Sequence, residues 1–168
     1  SDEIYSLYKT MDTITNILTG AKKAYDQLKQ MKENKDLCLK ISEQLMIYQQ
    51  QLLLCKNEYE KQKGGIPTRE QTKGLNDLNL IMNELYEHIN KYKGKWGVTK
   101  FLTAKTFLTK YKKLNEKLRD AMTLIHIGLN QNTIQQINEL NKKLDAIPLI
   151  EERLDKLEHR IEKSENKK

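Results

Sequence analysis

The feature that most constrains this chain is the spacing of its apolar residues, which recur at alternating intervals of three and four. One such run extends from Ile4 to Leu28 and the next from Cys38 to Tyr59, with the polar break KENKD between them. Apolar residues at this spacing fall on one face of an α-helix. The pattern therefore predicts two long helices before residue 62.

Two further runs of the same kind follow a turn. The segment KGGIPT at residues 63–68 combines paired glycines with a proline, which favours a turn. Thr68 and Gln71 then make a T-x-x-Q capping box, a signal for the start of a helix. The third run ends at Tyr92 and the fourth at Ile125. Four long helices are therefore predicted in all.

The apolar faces of these helices are wide. Extra apolar residues flank the stripes, Leu53 and Leu80 among them. Wide faces belong in a bundle, because a two-stranded coiled coil buries only a narrow seam. With no sheet signal in the sequence, we predict an all-α fold whose first unit, residues 1–130, is an antiparallel four-helix bundle. Its helices are predicted near residues 2–32, 36–62, 68–93 and 100–129.

The last quarter of the chain, residues 131–168, has a narrower apolar seam and is predicted to form a brace-like helical region. Thr133 and Gln136 are interpreted as a second capping box. The seam slips in phase across Pro148, where a kink or a restart of the helix is expected. Interleaved charges beside the seam are typical of a solvated face next to one narrow contact. The seam residues are Ile137, Leu140, Leu144, Ile147, Ile150, Leu154, Leu157 and Ile161.

Membrane-spanning and disulfide-linked architectures do not fit this sequence. The longest apolar runs, such as LLLC at residues 52–55, are far shorter than the roughly 20 residues needed to cross a bilayer. Cys38 and Cys55 lack metal-site or redox spacing and occupy apolar helical positions. We interpret them as reduced core thiols of a cytosolic protein, with a disulfide as the alternative.

Signals for catalysis are also missing. His88, His126 and His159 lie far apart in the sequence, with no carboxylate or cysteine at the spacing of a metal site or a catalytic triad. The glycine pair of KGGIPT lacks the G-K-[ST] of a phosphate-binding loop. We therefore predict that the protein is not an enzyme and has no catalytic residue, metal site or cofactor.

Positive charge is concentrated in one region. Residues 91–117 contain nine lysines and one acidic residue, a charge of +8 beside the formal +7 of the whole chain. A cluster of basic residues favours an anionic lipid surface, at about 1 kcal/mol per lysine, although a lysine run is more often a solvated helix face. Trp96 either anchors this loop in the bundle or lies among lipid headgroups. The candidate lipid-binding residues here are Lys91, Lys93, Lys95, Trp96, Lys100 and Lys105.

The fourth helix carries a resemblance to a known family. The helix order and the basic loop leading into FLTAKTFLTKYKKLNEKLRDAMTLIHIGL, residues 101–129, resemble the N-terminal four-helix bundle of the mixed lineage kinase domain-like proteins, the executioners of necroptosis. The quartet FLTA at 101–104 and the segment LNEKL at 114–118 match most closely. Residues 132–163 fall where that family has its brace.

The resemblance implies a function for the chain. It implies a cytoplasmic domain that is recruited to the plasma membrane on activation, oligomerises, binds phosphoinositides or other anionic phospholipids, and permeabilises the membrane. It further implies a kinase or pseudokinase domain after Lys168, and a role for the C-terminal seam as a brace or in oligomerisation. In the first helix it implies lipid-contacting residues at Lys22, Lys23, Lys29 and Lys32.

Two other function classes stay open. The first is a scaffolding adaptor, in which the seam from Ile137 to Ile161 recruits a helix of a partner protein. The second is a nucleic-acid binder, because aromatic residues interleave with the lysines and could stack on bases. Arg119 is the single arginine between residues 91 and 129, which argues against nucleic acid, since readers of bases and phosphates favour guanidinium groups. The possible stacking residues are Tyr92, Trp96, Phe101 and Tyr111.

Trp96 provides a direct test of the loop. If the basic loop lies at a membrane surface, the emission of Trp96 should shift to the blue when vesicles with anionic lipid are added, because the indole leaves water for the headgroup region. Trp96 is the only tryptophan, so the signal comes from this loop alone. Vesicles of neutral lipid are the control. An emission that is blue beforehand and does not change would place the indole in the bundle.

Overall fold

The protein is described by a computed structural model that covers residues 2–32, 35–61, 67–93, 100–147, 159–160 and 162–166. Side chains are described from residue 5 in the first of these ranges and from residue 106 in the fourth. Within these ranges no strand occurs, so the prediction of an all-α fold is confirmed. The long helices are α1 (Asp2–Gln30), α2 (Lys35–Lys61), α3 (Arg69–Lys91), α4 (Lys100–His126) and α5 (Gln131–Asp145), and residues 159–160 and 162–166 are also helical.

The contacts between α3 and α4 show that these helices are antiparallel. His88 at the end of α3 lies beside Phe107 near the start of α4, with 2.9 Å between the histidine Nε2 and the carbonyl oxygen. Gly74 near the start of α3 lies instead against Ala121 and Ile125, close to the end of α4.

Alternate helices of the bundle run in the same direction. Gly20 of α1 lies against Met82 of α3, and Thr13 lines the same surface cleft as Leu75, so α1 and α3 are parallel. The pair α2 and α4 is also parallel and is joined by three tyrosine hydroxyls. They donate from Tyr111 to Gln44, from Tyr48 to Asn115 at 2.9 Å, and from Tyr59 to the carbonyl oxygen of Ile125 at 3.4 Å.

The core is built from one face of each helix, as the spacing of the apolar residues predicts. In addition, α1 contacts α2 and α3, α3 contacts α4, and α5 lies on α2. Both cysteines are buried thiols without a disulfide, and burial raises the pKa of Cys38 to about 11 and that of Cys55 to about 12. The largest fully buried side chains are Ile14, Ile17, Leu28, Ile41, Leu45, Leu52, Tyr59, Leu78, Met82, Leu85 and Phe107.

The predicted apolar faces are too wide in two places. Leu53 is 45% exposed and Leu80 is 63% exposed, although both were counted among residues that a bundle would bury. Leu53 follows the buried Leu52 and Leu80 precedes the buried Ile81, so each is turned from an inward-facing neighbour by roughly 100°, the rotation between neighbouring residues of an α-helix. That rotation is enough to direct the side chain to solvent.

The two predicted capping boxes had different outcomes. The box of Thr68 and Gln71 is present at the start of α3 and is confirmed. The second prediction is wrong, because α5 begins at Gln131 and its N-cap is Asn130, whose side chain accepts a hydrogen bond from the backbone N–H of Thr133. Glu58 of α2 accepts the N–H of Asn130 at 2.9 Å and so holds the start of α5 at this residue.

Gly74 marks the closest approach of α3 and α4. A Cβ atom at this position would lie 2.8 Å from the carbonyl oxygen of Ala121 and 2.9 Å from the Cβ of Leu124. These atoms belong to the backbone or to the root of a side chain, so they have little freedom to move. At Gly20, in contrast, the nearest atom is the flexible Met82 Cγ at 3.3 Å.

This difference predicts opposite effects of two alanine substitutions. Gly74→Ala is expected to lower the free energy of unfolding, because overpacking costs about 1–3 kcal/mol and exceeds the roughly 1 kcal/mol that alanine adds to a helix. Gly20→Ala is the matched control and should be neutral or slightly stabilising. Urea unfolding followed by circular dichroism measures both. Equal stability of the two variants would contradict the close contact at Gly74.

Candidate functional site

The fold brings the two predicted lysine groups to one end of the bundle. Because α1 and α3 are parallel and α3 and α4 are antiparallel, the ends of α1 and α3 and the start of α4 lie together, and the short connection after α1 adds the start of α2. We call this the basic end. It comprises residues 22–32, 35–40, 88–93 and 100–113.

The level of the lysines along the bundle follows from the contact between α1 and α3. Gly20 lies against Met82, and two parallel helices advance by the same rise of about 1.5 Å per residue. Nine residues further along each helix, Lys29 is therefore level with Lys91. The described lysines of the two predicted sets are all exposed: Lys22, Lys23, Lys29, Lys32, Lys91 and Lys93.

These six lysines have no carboxylate partner within the described part of the chain. The ion pairs found there involve other lysines: Lys40 of the basic end pairs with Glu43 at 3.5 Å, and Lys73, far from that end, pairs with Asp77 at 2.8 Å. Two of the lysines lie over aromatic rings instead, with Lys29 Nζ at 5.4 Å from the ring centroid of Tyr25 and Lys91 Nζ at 5.8 Å from that of Tyr92. An aromatic face attracts a cation without cancelling its charge. The positive field of the basic end therefore extends into solvent.

An aromatic cluster joins the end of α3 to the first part of α4, the two segments that flank the basic loop in the sequence. The rings of His88 and Phe107 stack at 4.7 Å, and Tyr92 meets them edge-on at 5.0 and 5.5 Å. Tyr111 extends the stack from Phe107 at 6.4 Å. Because Tyr92 is the C-cap of α3 and Phe107 lies in the second turn of α4, the cluster fixes where the loop leaves and re-enters the bundle.

His88 responds to the charge around it. Burial lowers the pKa of His88, its hydrogen bond to the Phe107 carbonyl acts in the opposite direction, and the charges of Lys110 and Lys91 lower the pKa further. A neutral imidazole whose Nε2–H donates to that carbonyl, at 2.9 Å, is consistent with all of these contacts. The histidine is thus a packing residue of the core.

Part of the predicted lipid-binding site lies outside the residues that the structure describes. Lys95 and Trp96 are not among the described residues, and neither are the side chains of Lys100 and Lys105, although α4 begins at Lys100. The same is true of Phe101. Their roles remain predictions.

The aromatic contacts bear on the nucleic-acid alternative. Tyr92 is 6% exposed and Tyr111 is 4% exposed, and both belong to the aromatic cluster. Neither offers a free ring face on which a base could stack. Two of the four stacking residues of that alternative are therefore part of the core.

The first half of the C-terminal seam is packed against the bundle. Ile137 and Leu144 are buried, and Leu140 and Ile147 are partly buried against the same core. Polar contacts hold α5 in addition: Gln51 donates to Asn141 at 2.8 Å, Asn130 donates its N–H to Glu58 at 2.9 Å, and Arg119 lies 3.5 Å from Asp145. The second half of the seam, Ile150, Leu154, Leu157 and Ile161, lies outside the described residues.

Sequence reasoning missed a row of buried polar residues on α2. Gln44, Gln51 and Glu58 are each 4% exposed or less, and each contacts another helix through a hydrogen bond. Their shared interval of seven residues is visible in the sequence and places them on one side of the helix. That regularity, next to an apolar stripe, was the available signal.

A cavity of about 210 Å³ lies between α2, α4 and α5. Polar groups line much of it, among them Tyr48, Arg119, His126 and Asp145. Burial lowers the pKa of His126 to about 4. The imidazole is therefore neutral at pH 7.

The described residues do not provide a metal site or a membrane span. No group of three or more His, Cys, Asp or Glu side chains is arranged to hold a metal ion there. Among the helices described, none combines the length and the apolar character needed to span a membrane.

Comparison with known proteins gives one match. A family model described as the mixed lineage kinase domain-like N-terminal domain matches residues 14–146, from the middle of α1 to the C-cap of α5. Comparisons with curated proteins and with solved structures returned no match.

His126 predicts a pH dependence of stability. Its folded pKa of about 4 lies below the ordinary value near 6.5, so its contribution to stability is complete above pH 6.5 and is lost as the pH falls towards 4. Arg119 and Asp145 face the same cavity, from α4 and α5. The free energy of unfolding, measured in urea between pH 7 and 4.5, should fall less steeply in His126→Gln than in the wild type. The exposed His159, changed to Gln, is the control, and equal slopes for all three proteins would refute the assignment.

Proposed function

The chain belongs to the mixed lineage kinase domain-like N-terminal domain family, and on that premise we propose that it is a membrane-binding effector domain of necroptosis-type cell death. In this proposal the domain is not an enzyme. It is cytoplasmic until activation, is then recruited to the plasma membrane, oligomerises there and permeabilises the bilayer. A kinase-like domain further along the full-length protein regulates it.

The observation that supports membrane binding is the convergence of exposed lysines at the basic end. Lysines from two distant segments, residues 22–32 and 91–93, are exposed there without carboxylate partners in the described chain. A membrane is flat, so only charges on one side of a molecule can approach it together. The end of a helix bundle meets this condition.

The energies are sufficient for reversible recruitment. Each lysine near an anionic surface contributes about 1 kcal/mol, and the attraction decays over a Debye length of about 8 Å at physiological ionic strength. Six lysines therefore supply several kcal/mol, provided that they reach the surface at the same time. The proposed ligands are anionic phospholipids, phosphoinositides among them.

Recruitment also favours assembly. Copies held on one surface meet at a much higher effective concentration than copies in solution, so a weak contact between them becomes populated. The proposal assigns oligomerisation to this membrane-bound stage. Lys95, Trp96, Lys100 and Lys105 would extend the contact with lipid from the loop between α3 and α4.

The packing of α5 argues against the alternative that the protein is a scaffolding adaptor. It requires a free seam on the C-terminal region, but Ile137 and Leu144 are covered by the bundle and Leu140 is partly covered. Only the part of the seam after Pro148 could still recruit a helix of a partner protein. An adaptor would also give no reason for the unpaired lysines of the basic end.

The proposal predicts that a few lysines determine vesicle binding. The variant Lys29→Gln, Lys32→Gln, Lys91→Gln, Lys93→Gln should bind vesicles of phosphatidylcholine and phosphatidylserine about tenfold more weakly in a sedimentation assay, since four charges of roughly 1 kcal/mol are removed and only part of them add. Its melting temperature should stay near that of the wild type, because exposed lysines stabilise a fold little.

A control variant separates local from total charge. Replacing Lys56, Lys61, Arg69 and Lys73 by Gln removes the same charge from the opposite end of the bundle, where α2 ends and α3 begins. This variant should bind within about twofold of the wild type, because those groups lie more than a Debye length from the surface. Equal weakening of both variants would refute a site at the basic end. Wild-type protein that binds duplex DNA but not vesicles would refute the membrane proposal itself.

A further inference from the structure

The outer side of α2 carries an apolar stripe that the bundle leaves in solvent. Leu39 is 41% exposed, Met46 is 39% exposed and Leu53 is 45% exposed. They follow one another at intervals of seven residues, which brings a helix back to within about 20° of the same direction. The three side chains therefore form one line along the outer side of the helix.

The polar residues between them complete the pattern of a contact seam. The partly buried Glu43 and the exposed Gln50 and Asn57 lie on the same side and alternate with the apolar residues at intervals of four and three. This is the spacing of a narrow helix–helix seam. In the described structure the contacts of α2 with α4 and α5 use Gln44, Tyr48, Gln51 and Glu58, which lie on another side of the helix.

We propose that this outer stripe of α2 is where a second copy of the chain pairs with the first, with the two α2 helices antiparallel. Met46 lies midway between Leu39 and Leu53. A twofold axis at Met46 consequently places Leu39 of each copy against Leu53 of the other and Met46 against itself. The stripe is thus complementary to its own inverted copy, as a twofold interface requires.

The charges at the ends of α2 select the antiparallel arrangement. The helix begins with Lys35 and Asp36 and ends with Glu60 and Lys61, and all four residues are exposed. With the axis at Met46, Lys35 of one copy comes within one helical turn of Glu60 of the other, which is attractive. A parallel pair would instead place Lys35 beside Lys35, which is repulsive.

The arrangement of the two copies indicates that this pair forms in solution and not on the membrane. Because α2 runs along the bundle, inverting one copy puts the two basic ends at opposite ends of the dimer. Two such ends cannot touch the same flat membrane. The pair is therefore a form of the protein separate from the proposed assembly on the membrane. It has to dissociate before both copies can bind the same membrane through their basic ends.

The pair is expected to be weak. Stable protein interfaces bury about 1,200–2,000 Å² in total, and a single contact between two helices with three apolar residues each is smaller than that. Cross-linking is therefore a better test than a sizing column, because it traps a pair that is present only part of the time.

The test is disulfide formation by Met46→Cys, in the full chain and without vesicles. At equal protein concentration and under mild oxidation, Met46→Cys should give cross-linked dimer at least tenfold faster than Leu80→Cys. Leu80 is the matched control, because it is an apolar residue of α3 with a larger exposed fraction, 63%, so random collisions favour it. The native Cys38 and Cys55, at 1% and 0% exposed, contribute little in either variant.

The orientation is tested by a mixture. Leu39→Cys protein mixed with Leu53→Cys protein should yield dimers of one copy of each, and neither variant alone should cross-link faster than Leu80→Cys. A rate for Met46→Cys no higher than that of Leu80→Cys would overturn the proposal, and so would Leu39→Cys that cross-links to itself as fast as to Leu53→Cys. No lipid is present, so these outcomes are independent of the vesicle-binding experiment.

Discussion

A buried amide or carboxylate requires a hydrogen-bond partner, and α2 carries three such groups, Gln44, Gln51 and Glu58, along one side. Leaving one unpaired costs about 1–3 kcal/mol, so each group favours one position of its neighbour. The first binds the hydroxyl of Tyr111 in α4, and the other two bind α5 and the residue that caps it. Apolar burial brings the helices together, but it tolerates sliding. These directional contacts fix the register of α4 and α5 on α2.

The same register matters for the basic end. The tyrosine contacts hold α4 beside α2, and the close approach at Gly74 holds α4 against α3. With α4 in place, Phe107 stacks on His88 and the aromatic cluster closes under the basic loop. Lysines that lie about sixty residues apart in the sequence then share one end of the molecule. Their repulsion is tolerated because they are exposed and water screens them. The proposed membrane contact thus depends on packing as well as on charge.

Short sequence motifs gave correct predictions where the structure depends only on residues close in the sequence. The capping box of Thr68 and Gln71 is complete within four residues, and it is present. The predicted cap of α5 at Thr133 was wrong, because Glu58 supports a cap at Asn130 instead. Glu58 lies 72 residues away from Asn130 in the sequence. The prediction that Leu53 and Leu80 are buried was wrong for a related reason. An apolar residue at the margin of a stripe is buried only if another helix covers it, and neighbours along the chain carry no information about that.

The sequence by itself determined the number, type and approximate limits of the helices, since these follow from the spacing of apolar residues and from turn signals that act over a few residues. It also determined that the positive charge is concentrated near the start of the fourth helix. The tertiary structure alone decided which helices are neighbours, that Lys29 is level with Lys91, and that Leu39, Met46 and Leu53 remain in solvent. The physical reason is that burial and proximity are properties of pairs of helices. A single helix has an apolar face, but only a neighbour in a given register decides which part of that face is covered.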